Sequence, residues 1–408
     1  MTNRAYLYVK AFSDLGSRMD AIALGVVIYA ATGSAAWLSA LLGVSMLGGL
    51  ISSIFSGVLA DRLDRRSIMI VTDWLRAVLI ISLIFFPSPI MILVIRFLMG
   101  LMSSFFEVSF MAEVPQIYGN NNLLRVNAML SRLSSISMVI GFLAGGMLYD
   151  FLGFESVLLI DGCTFAISAI VLMRMKWNHT HVAEGKTFKQ PLRQITSDMR
   201  EVKTYLWGRP ILLLIFLVFL FDTFGSASHN LGVPLLAEQI DVNKQALYYG
   251  IIWSVWAFGN VITTYFLPKV AFIKQYMYRT YFISTILMSV GFIAIFSTTY
   301  LPIVLLFAFL TGLTDACAMT TNSTIMQQCD NHIRGRILGI SSLLGKLGFG
   351  VGFVIAPMLI TLFSLSQMVV IMHSSVIIVT IIAAILYLKQ SKGVIKYGSS
   401  NSYDERAN

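Results

Sequence analysis

A run of about twenty mostly apolar residues, the length a helix needs to cross the hydrocarbon of a bilayer, recurs twelve times along this chain. The runs cover approximately 5–30, 36–59, 67–86, 89–112, 126–149, 154–174, 210–233, 246–267, 278–297, 301–325, 337–363 and 367–388. In lipid every backbone amide must find its partner within the protein, and a helix does this inside a single run. The expected fold is therefore an all-α membrane protein of twelve transmembrane helices. Composition excludes the soluble alternative. Only 12% of the 408 residues are charged and 57% are hydrophobic, whereas soluble domains carry about 25% charge. That much charge cannot coat the two or three domains a soluble chain of this length would form.

The polar remainder is ordered. A net charge of +9 would suit nucleic acid, but nucleic-acid surfaces gather their basic residues into one patch. Here the basic residues stand in short clusters between apolar runs, so no nucleic-acid partner is expected. Twelve spans put both termini on one side. Placing that side in the cytoplasm gathers Arg4, Arg62, Arg65, Arg66, Arg125, the cluster from Arg174 to Arg209, and the loop residues from Lys269 to Arg336 inside. Only Lys244 is left outside, as the positive-inside rule requires. The expected location is a bacterial cytoplasmic (inner) membrane, crossed many times, with both termini cytoplasmic. The longest polar stretch divides the spans six and six. The chain then reads as a half at 1–175, a cytoplasmic linker at 176–209 with some helix near 195–206, a half at 210–390, and a tail at 391–408. The tail is polar and expected to be disordered. Cys163, Cys317 and Cys329 form neither a disulfide framework nor a metal-ligand spacing. Asp14, Arg18 and Asp20 interrupt any secretory signal at the N-terminus.

Several motifs fall at the span ends. After the second run stands Gly57-Val-Leu-Ala-Asp61-Arg62-Leu-Asp64-Arg65-Arg66, a glycine followed four residues on by an acid and then by bases. The fourth run carries Arg96-Phe-Leu-Met-Gly100, the fifth Gly141-Phe-Leu-Ala-Gly145-Gly146, and Arg334-Gly-Arg336 precedes the eleventh. Together these resemble the major facilitator superfamily: its cytoplasmic-loop signature, its Arg-x-x-x-Gly motif, and its antiporter motif with Phe142 where the family has proline. Within the superfamily the chain looks most like the twelve-span drug:proton antiporter branch that includes macrolide efflux proteins and the enterobactin exporter. The resemblance implies that Asp61 and Arg65 form a cytoplasmic gate with the start of the eleventh span. It also implies that spans one, four, seven and ten line a central cavity. Read from the residues alone, Gly141, Gly145 and Gly146, like Gly348 and Gly352, let helices approach closely.

The strongest functional signal is charge at bilayer depth. Asp14, Arg18 and Asp20 lie in span one, Arg96 and Glu107 in span four, Asp222 and His229 in span seven, and Asp315 in span ten. Left unpaired, the seven charges other than His229 would cost about 20 kcal/mol together. They must be paired, protonated or wetted by a cavity. Arg96 and Glu107 share a face of one helix, as do Asp14 and Arg18, while Asp20 lies around the helix from that pair. A carboxylate beside an arginine is a fixed ion pair, and one without a cation can carry a proton across. Asp222 and Asp315 have no basic neighbour in their own spans, so both are read as proton or cationic-substrate sites, with Glu107, Asp14 and Asp20 as further candidates. Arg96 with Asp14 or Glu107 is read as a gating pair, with Arg18 and His229 as cavity groups. Asp73 and Arg76 support the loop motif, and Asp161 and Lys346 read as packing partners or a second coupling route. His373 reads as an interfacial residue near the outer end of span twelve.

The segment Gly339-Ile-Ser-Ser-Leu-Leu-Gly345-Lys346-Leu347 imitates a phosphate loop, but its spacing is one residue too long and Leu347 stands where a hydroxyl is required. No enzymatic activity, cofactor or metal is expected. Without nucleotide chemistry, transport must draw on an ion gradient, in which each proton contributes about 2.3 kcal/mol per 100 mV. The 21 methionines and 28 phenylalanines suit an adaptable lining for bulky amphipathic ligands. The expected function is secondary active, proton-coupled export by alternating access of a medium-sized organic compound, a drug such as a macrolide or a siderophore. The alternative is a proton-coupled symporter that imports a metabolite or metal chelate. The expected partners are a small-molecule substrate, protons and the lipid bilayer, around a monomer.

Overall fold

The computed structural model describes residues 2–62, 64–118, 123–175, 204–270, 273, 275–328 and 331–404, with the side chains of 2–4, 53–62, 112, 115, 123–125, 127–128, 131, 268, 327, 331–336, 339 and 390–404 outside the description. The linker expected at 176–209 therefore lies almost wholly outside the described residues. No strand occurs among those described.

Twelve long helices account for nearly all of the described chain: α1 (Thr2–Thr32), α2 (Ala35–Arg62), α3 (Arg65–Phe85), α4 (Pro89–Tyr118), α5 (Leu123–Leu152), α6 (Phe154–Arg174), α7 (Pro210–Ile240), α8 (Gln245–Phe266), α9 (Met277–Ile295), α10 (Leu301–Gln327), α11 (Asn331–Leu362) and α12 (Leu365–Asp404). Each contains a stretch long and apolar enough to cross a membrane, twelve in all. Large apolar side chains such as Phe85, Ile90, Val78, Ile283, Val354 and Met358 are more than half exposed, as a lipid-facing surface requires.

Local chemistry marks the boundaries. Asp64 caps α3 by accepting from the Ser67 amide at 2.9 Å. Pro210 and Pro302 occupy first-turn positions, where a missing N–H costs nothing. A single residue, Gly153, joins α5 to α6 with φ 82°, a backbone conformation that side-chain-bearing residues rarely adopt. The last helix, α12, continues past its apolar run into the polar segment, to Asp404. Its polar last turns contain no proline and so can keep their backbone hydrogen bonds.

Packing repeats every six helices. α2 lies along α4, α1 along α5 and α6, and α3 along α4 and α6. The second half reproduces each contact: α8 with α10, α7 with α11 and α12, and α9 with α10 and α12. Between the halves α5 packs on α8 and α2 on α11, again related by the same shift. Glycines set the closest approaches at equivalent places. Gly48 and Gly100 bring α2 against α4, and Gly259 with Gly312 bring α8 against α10. Gly141 and Gly145 seat on the backbone of α1 at Leu15 and Met19, while Gly348 and Gly352 seat on α7 at Leu220 and Phe224. A Cβ at any of these positions would collide with backbone, so close helix contact is possible only with glycine.

Candidate functional site

Among the described residues, the hydrogen bonds that join the two halves lie toward one end. Call the end where α1 begins the terminal face. Near the opposite face, the Ser39 hydroxyl donates to the Phe353 carbonyl at 2.5 Å, joining α2 to α11. Ser254 donates to the Val139 carbonyl at 3.1 Å, and the Leu247 amide donates to Asp150 Oδ2 at 3.1 Å, joining α8 to α5. The apolar core follows the same division. One cluster with members from both halves, among them Ile22, Leu41, Leu231 and Trp253, fills the opposite-face side. On the terminal side there are two separate clusters, one around Tyr6, Phe106 and Phe110 and the other around Phe216, Tyr281 and Met326. Among the described residues the hydrogen bonds and the shared apolar cluster that join the halves thus lie toward the opposite face.

Within the first half a polar cavity of about 270 Å³ opens between α1, α2, α3 and α4. Its charges are arranged by depth. Lys10 Nζ lies 2.6 Å from Asp14 Oδ1 and 3.0 Å from Glu107 Oε2, bridging α1 and α4. Deeper, Arg96 Nη1 donates to Asp20 Oδ2 at 2.8 Å. Arg76 pairs with Asp73 and lies between the rings of Phe106 and Phe165, 4.6 Å from each centroid. Ser168 on α6 donates to the other Asp73 oxygen. Arg18 lines the cavity and approaches the Phe142 ring at 5.8 Å. Among the described residues it makes no hydrogen bond or ion pair.

This corrects the expected pairing of Arg96 with Asp14 or Glu107. α1 and α4 run antiparallel, so partners are matched by depth rather than by shared face. Arg96 and Glu107 are three turns, or about 16 Å, apart; the first stands level with Asp20 and the second with Asp14. Lys10 on α1 is the cation that Asp14 and Glu107 share.

In the second half, Asp222 on α7 and Asp315 on α10 interact with each other, and neither makes an ion pair among the described residues. Asp222 is 5% exposed and its Oδ1 has no hydrogen-bond partner. The six-helix repeat shows what they face. Leu15 and Leu220 receive equivalent glycines, so Ser17 corresponds to Asp222; Gly100 and Gly312 correspond, and with them Ser103 and Asp315. Ser45 and Trp256 are matched by the same contacts. Ser17, Ser45 and Ser103 all line the cavity of the first half. Asp222, Trp256 and Asp315 therefore occupy the positions equivalent to these serines in the second half, and Asp315 lies beside the Trp256 indole.

His229 stacks on Phe292 with centroids 3.5 Å apart, and its Nδ1 lies 3.2 Å from His373 Nε2. His373, expected at the interface, is fully buried. The sequence pointed elsewhere because only the packing of α12 on α7 brings the two imidazoles together. Asp161, also 0% exposed, stands behind Asp20 on α6.

At the terminal face Arg65 Nη1 lies 3.5 Å from Glu113 Oε1, and Arg66 donates to the Leu172 and Met173 carbonyls at 3.0 and 2.6 Å. Gly57, Asp61 and Arg62 end α2, but their side chains, like those of Arg334 and Arg336, lie outside the described residues. Gly146 abuts the Ala246 carbonyl on α8, so the third glycine of its motif serves the seam between the halves.

Known proteins agree with this architecture. The sequence profile of the Major Facilitator Superfamily matches residues 9–278. The chain is 27% identical over 153 residues to the putative bacilysin exporter BacE of Bacillus subtilis (strain 168), 37% of this chain and 38% of that protein, so the match spans well under half of the relative's length. It is 24% identical over 301 residues to the staphyloferrin A transporter of Staphylococcus aureus (strain NCTC 8325 / PS 47), 71% of this chain and 72% of that one. Macrolide efflux protein A of Enterococcus faecalis is 27% identical over 144 residues, 33% of this chain and 45% of that protein. In fold, the chain superposes on the nucleoside transporter NupG with TM-score 0.73 at 12% identity, covering 95% of this chain and 99% of that one. A bacterial homologue of the iron transporter ferroportin in an inward-facing state gives TM-score 0.72 at 13% identity, covering 94% and 98%.

Proposed function

This chain belongs to the Major Facilitator Superfamily, and from that premise we propose that it is a secondary active transporter exporting a medium-sized organic compound in exchange for protons. The termini are cytoplasmic in this reading, the membrane is the bacterial inner membrane, and residues 176–209 link the halves. The substrate is a drug such as a macrolide or a siderophore, in keeping with the macrolide, bacilysin and staphyloferrin A relatives.

The observation that carries the proposal is the pair Asp222 and Asp315, two carboxyl groups at mid-span that make no ion pair among the described residues. An unpaired ion at that depth costs about 2.5–3.5 kcal/mol. A carboxyl group that takes up a proton escapes this cost and can give the proton up again when a cavity wets it. The repeat supports alternating access, because two six-helix halves with matching internal packing can rock against each other about a site between them. Basic residues crowd the terminal side, which supports a cytoplasmic opening.

The test is efflux of a labelled macrolide, erythromycin, from cells with and without the protein, together with the tolerance of those cells to a panel of antibiotics and siderophores. Asp222→Asn and Asp315→Asn are each expected to abolish uphill efflux and its dependence on the proton gradient. Unchanged uphill transport with unchanged pH dependence in both variants would remove these residues from the coupling machinery. Accumulation rather than extrusion of the probe would reverse the direction.

A further inference from the structure

We propose that Asp20 and Asp161 share a single proton, and that this carboxyl pair behind Arg96 is a second proton-binding site that follows the opening and closing of the halves. The inference rests on the proton-coupled reading above but concerns different residues in the other half of the molecule.

The geometry comes first. Asp161 on α6 and Asp20 on α1 are both 0% exposed, and their carboxyl groups meet where α6 packs against α1. Gly16 makes room for them, since a Cβ there would run into Asp161 Oδ1 and the Thr164 hydroxyl. Arg96 satisfies Asp20 Oδ2, and Thr164 donates to Asp161 Oδ1 at 3.4 Å. Asp20 Oδ1 and Asp161 Oδ2 have no hydrogen-bond partner. Two dry carboxylates side by side repel each other and leave acceptors empty. One proton between them supplies the missing donor and removes one of the charges.

The local charge count agrees. Around the pair α1 brings Lys10, Asp14 and Arg18, α3 brings Asp73 and Arg76, and α4 brings Arg96 and Glu107; α5 carries charge only near its ends, at Arg125, Arg132 and Asp150. With Asp20 and Asp161 added, the acids outnumber the bases by one. The other acids are provided for: Lys10 serves Asp14 and Glu107, and Arg76 serves Asp73. Asp161 has no ion pair of its own among the described residues, so it is the carboxyl group that holds the surplus proton.

Arg96 connects the pair to the pathway. Its side chain is 17% exposed and lines the cavity. When Arg96 turns toward the cavity, Asp20 loses its cation and the pair gains affinity for protons. When it turns back, the O–H bond on Asp161 can break, and the proton passes to cavity water and leaves two carboxylates beside the guanidinium. A purely structural role for Asp161 would involve no such exchange.

Two measurements on the full-length protein in lipid nanodiscs test this without any substrate. The first is infrared difference spectroscopy of the parent against Asp161→Asn. The expected difference contains a carboxylic-acid carbonyl stretch that shifts in heavy water and returns, displaced, in Asp161→Glu; loss of a carboxylate band alone overturns the proposal. The second is the pH profile of disulfide formation between Gly43→Cys and Phe353→Cys, which reports closure of the opposite face. The ratio of rates with and without Asp161→Asn is expected to change several-fold between mildly acid and alkaline pH, and a constant ratio overturns the proposal. Should Asp161→Asn fold poorly, the infrared difference of the parent against Asp161→Glu decides alone: a carboxylic-acid band displaced between the two supports the proposal, and no band in that region overturns it. Failure of either leaves the Asp222 and Asp315 reading standing, whereas uphill export that needs no proton gradient sinks that reading regardless of the infrared result.

Discussion

At the scale of single residues, the buried charges differ in how they are satisfied. Arg76 is enclosed by two aromatic rings, an aspartate and little else, with the Arg76 and Asp73 side chains 5% and 0% exposed. Removing one member of such a pair strands the other, which typically costs about 3–5 kcal/mol. Asp73→Asn is therefore expected to lower the melting temperature of the purified protein sharply. The double variant Asp73→Asn with Arg76→Met is expected to recover much of that loss, because no charge is left unpaired. Strictly additive melting shifts would show that the two residues do not act as a pair. Arg18 behaves differently. Having no partner among the described residues and facing the cavity, it is available to an anionic group of a substrate, and Arg18→Gln is expected to change transport with little effect on melting.

At the scale of helices, glycine marks where backbones touch. Gly348 lies against the Leu220 carbonyl of α7, with 2.5 Å between that oxygen and the place a Cβ would take, whereas a Cβ at Gly350 two residues later would meet nothing within 4 Å. Gly348→Ala is expected to destabilise the fold by about 1–3 kcal/mol through overpacking. Gly350→Ala is expected to be neutral or to stabilise by up to about 1 kcal/mol, through the helix propensity of alanine. Thermal unfolding of the two single variants checks both, and equal effects would contradict the packing described for α7 and α11. Neighbouring residues on one helix differ this much because side chains three or four apart share a face and those two apart do not.

At the scale of the whole molecule, the seam is the element that must open. A Cβ built on Gly43 stands 3.8 Å from the Phe353 Cβ, a separation typical of a disulfide. In a background freed of Cys163, Cys317 and Cys329, the Gly43→Cys with Phe353→Cys variant is expected to cross-link spontaneously, to stop transport while oxidised, and to regain it on reduction. Failure to cross-link would mean that the two halves are not joined at the opposite face. Transport that continues through a complete cross-link would mean that this seam does not part in the cycle.

How much of this was legible in advance depends on the range of each interaction. Span number and length follow from the hydrophobic runs alone, because the bilayer sets one thickness and the backbone has one economical way to cross it. The presence of functional charge was equally plain, since Asp14, Arg18, Asp20, Arg96, Glu107, Asp222 and Asp315 stand where solvation is poorest. Partnership was not. Lys10 with Glu107, Arg96 with Asp20, Asp161 with Asp20 and His229 with His373 join residues on different helices, and helical periodicity says nothing about which helices are neighbours or how deep each one sits. Those pairings arise only when twelve helices are packed side by side, because hydrogen bonds and ion pairs act over a few ångströms between segments that the chain separates widely.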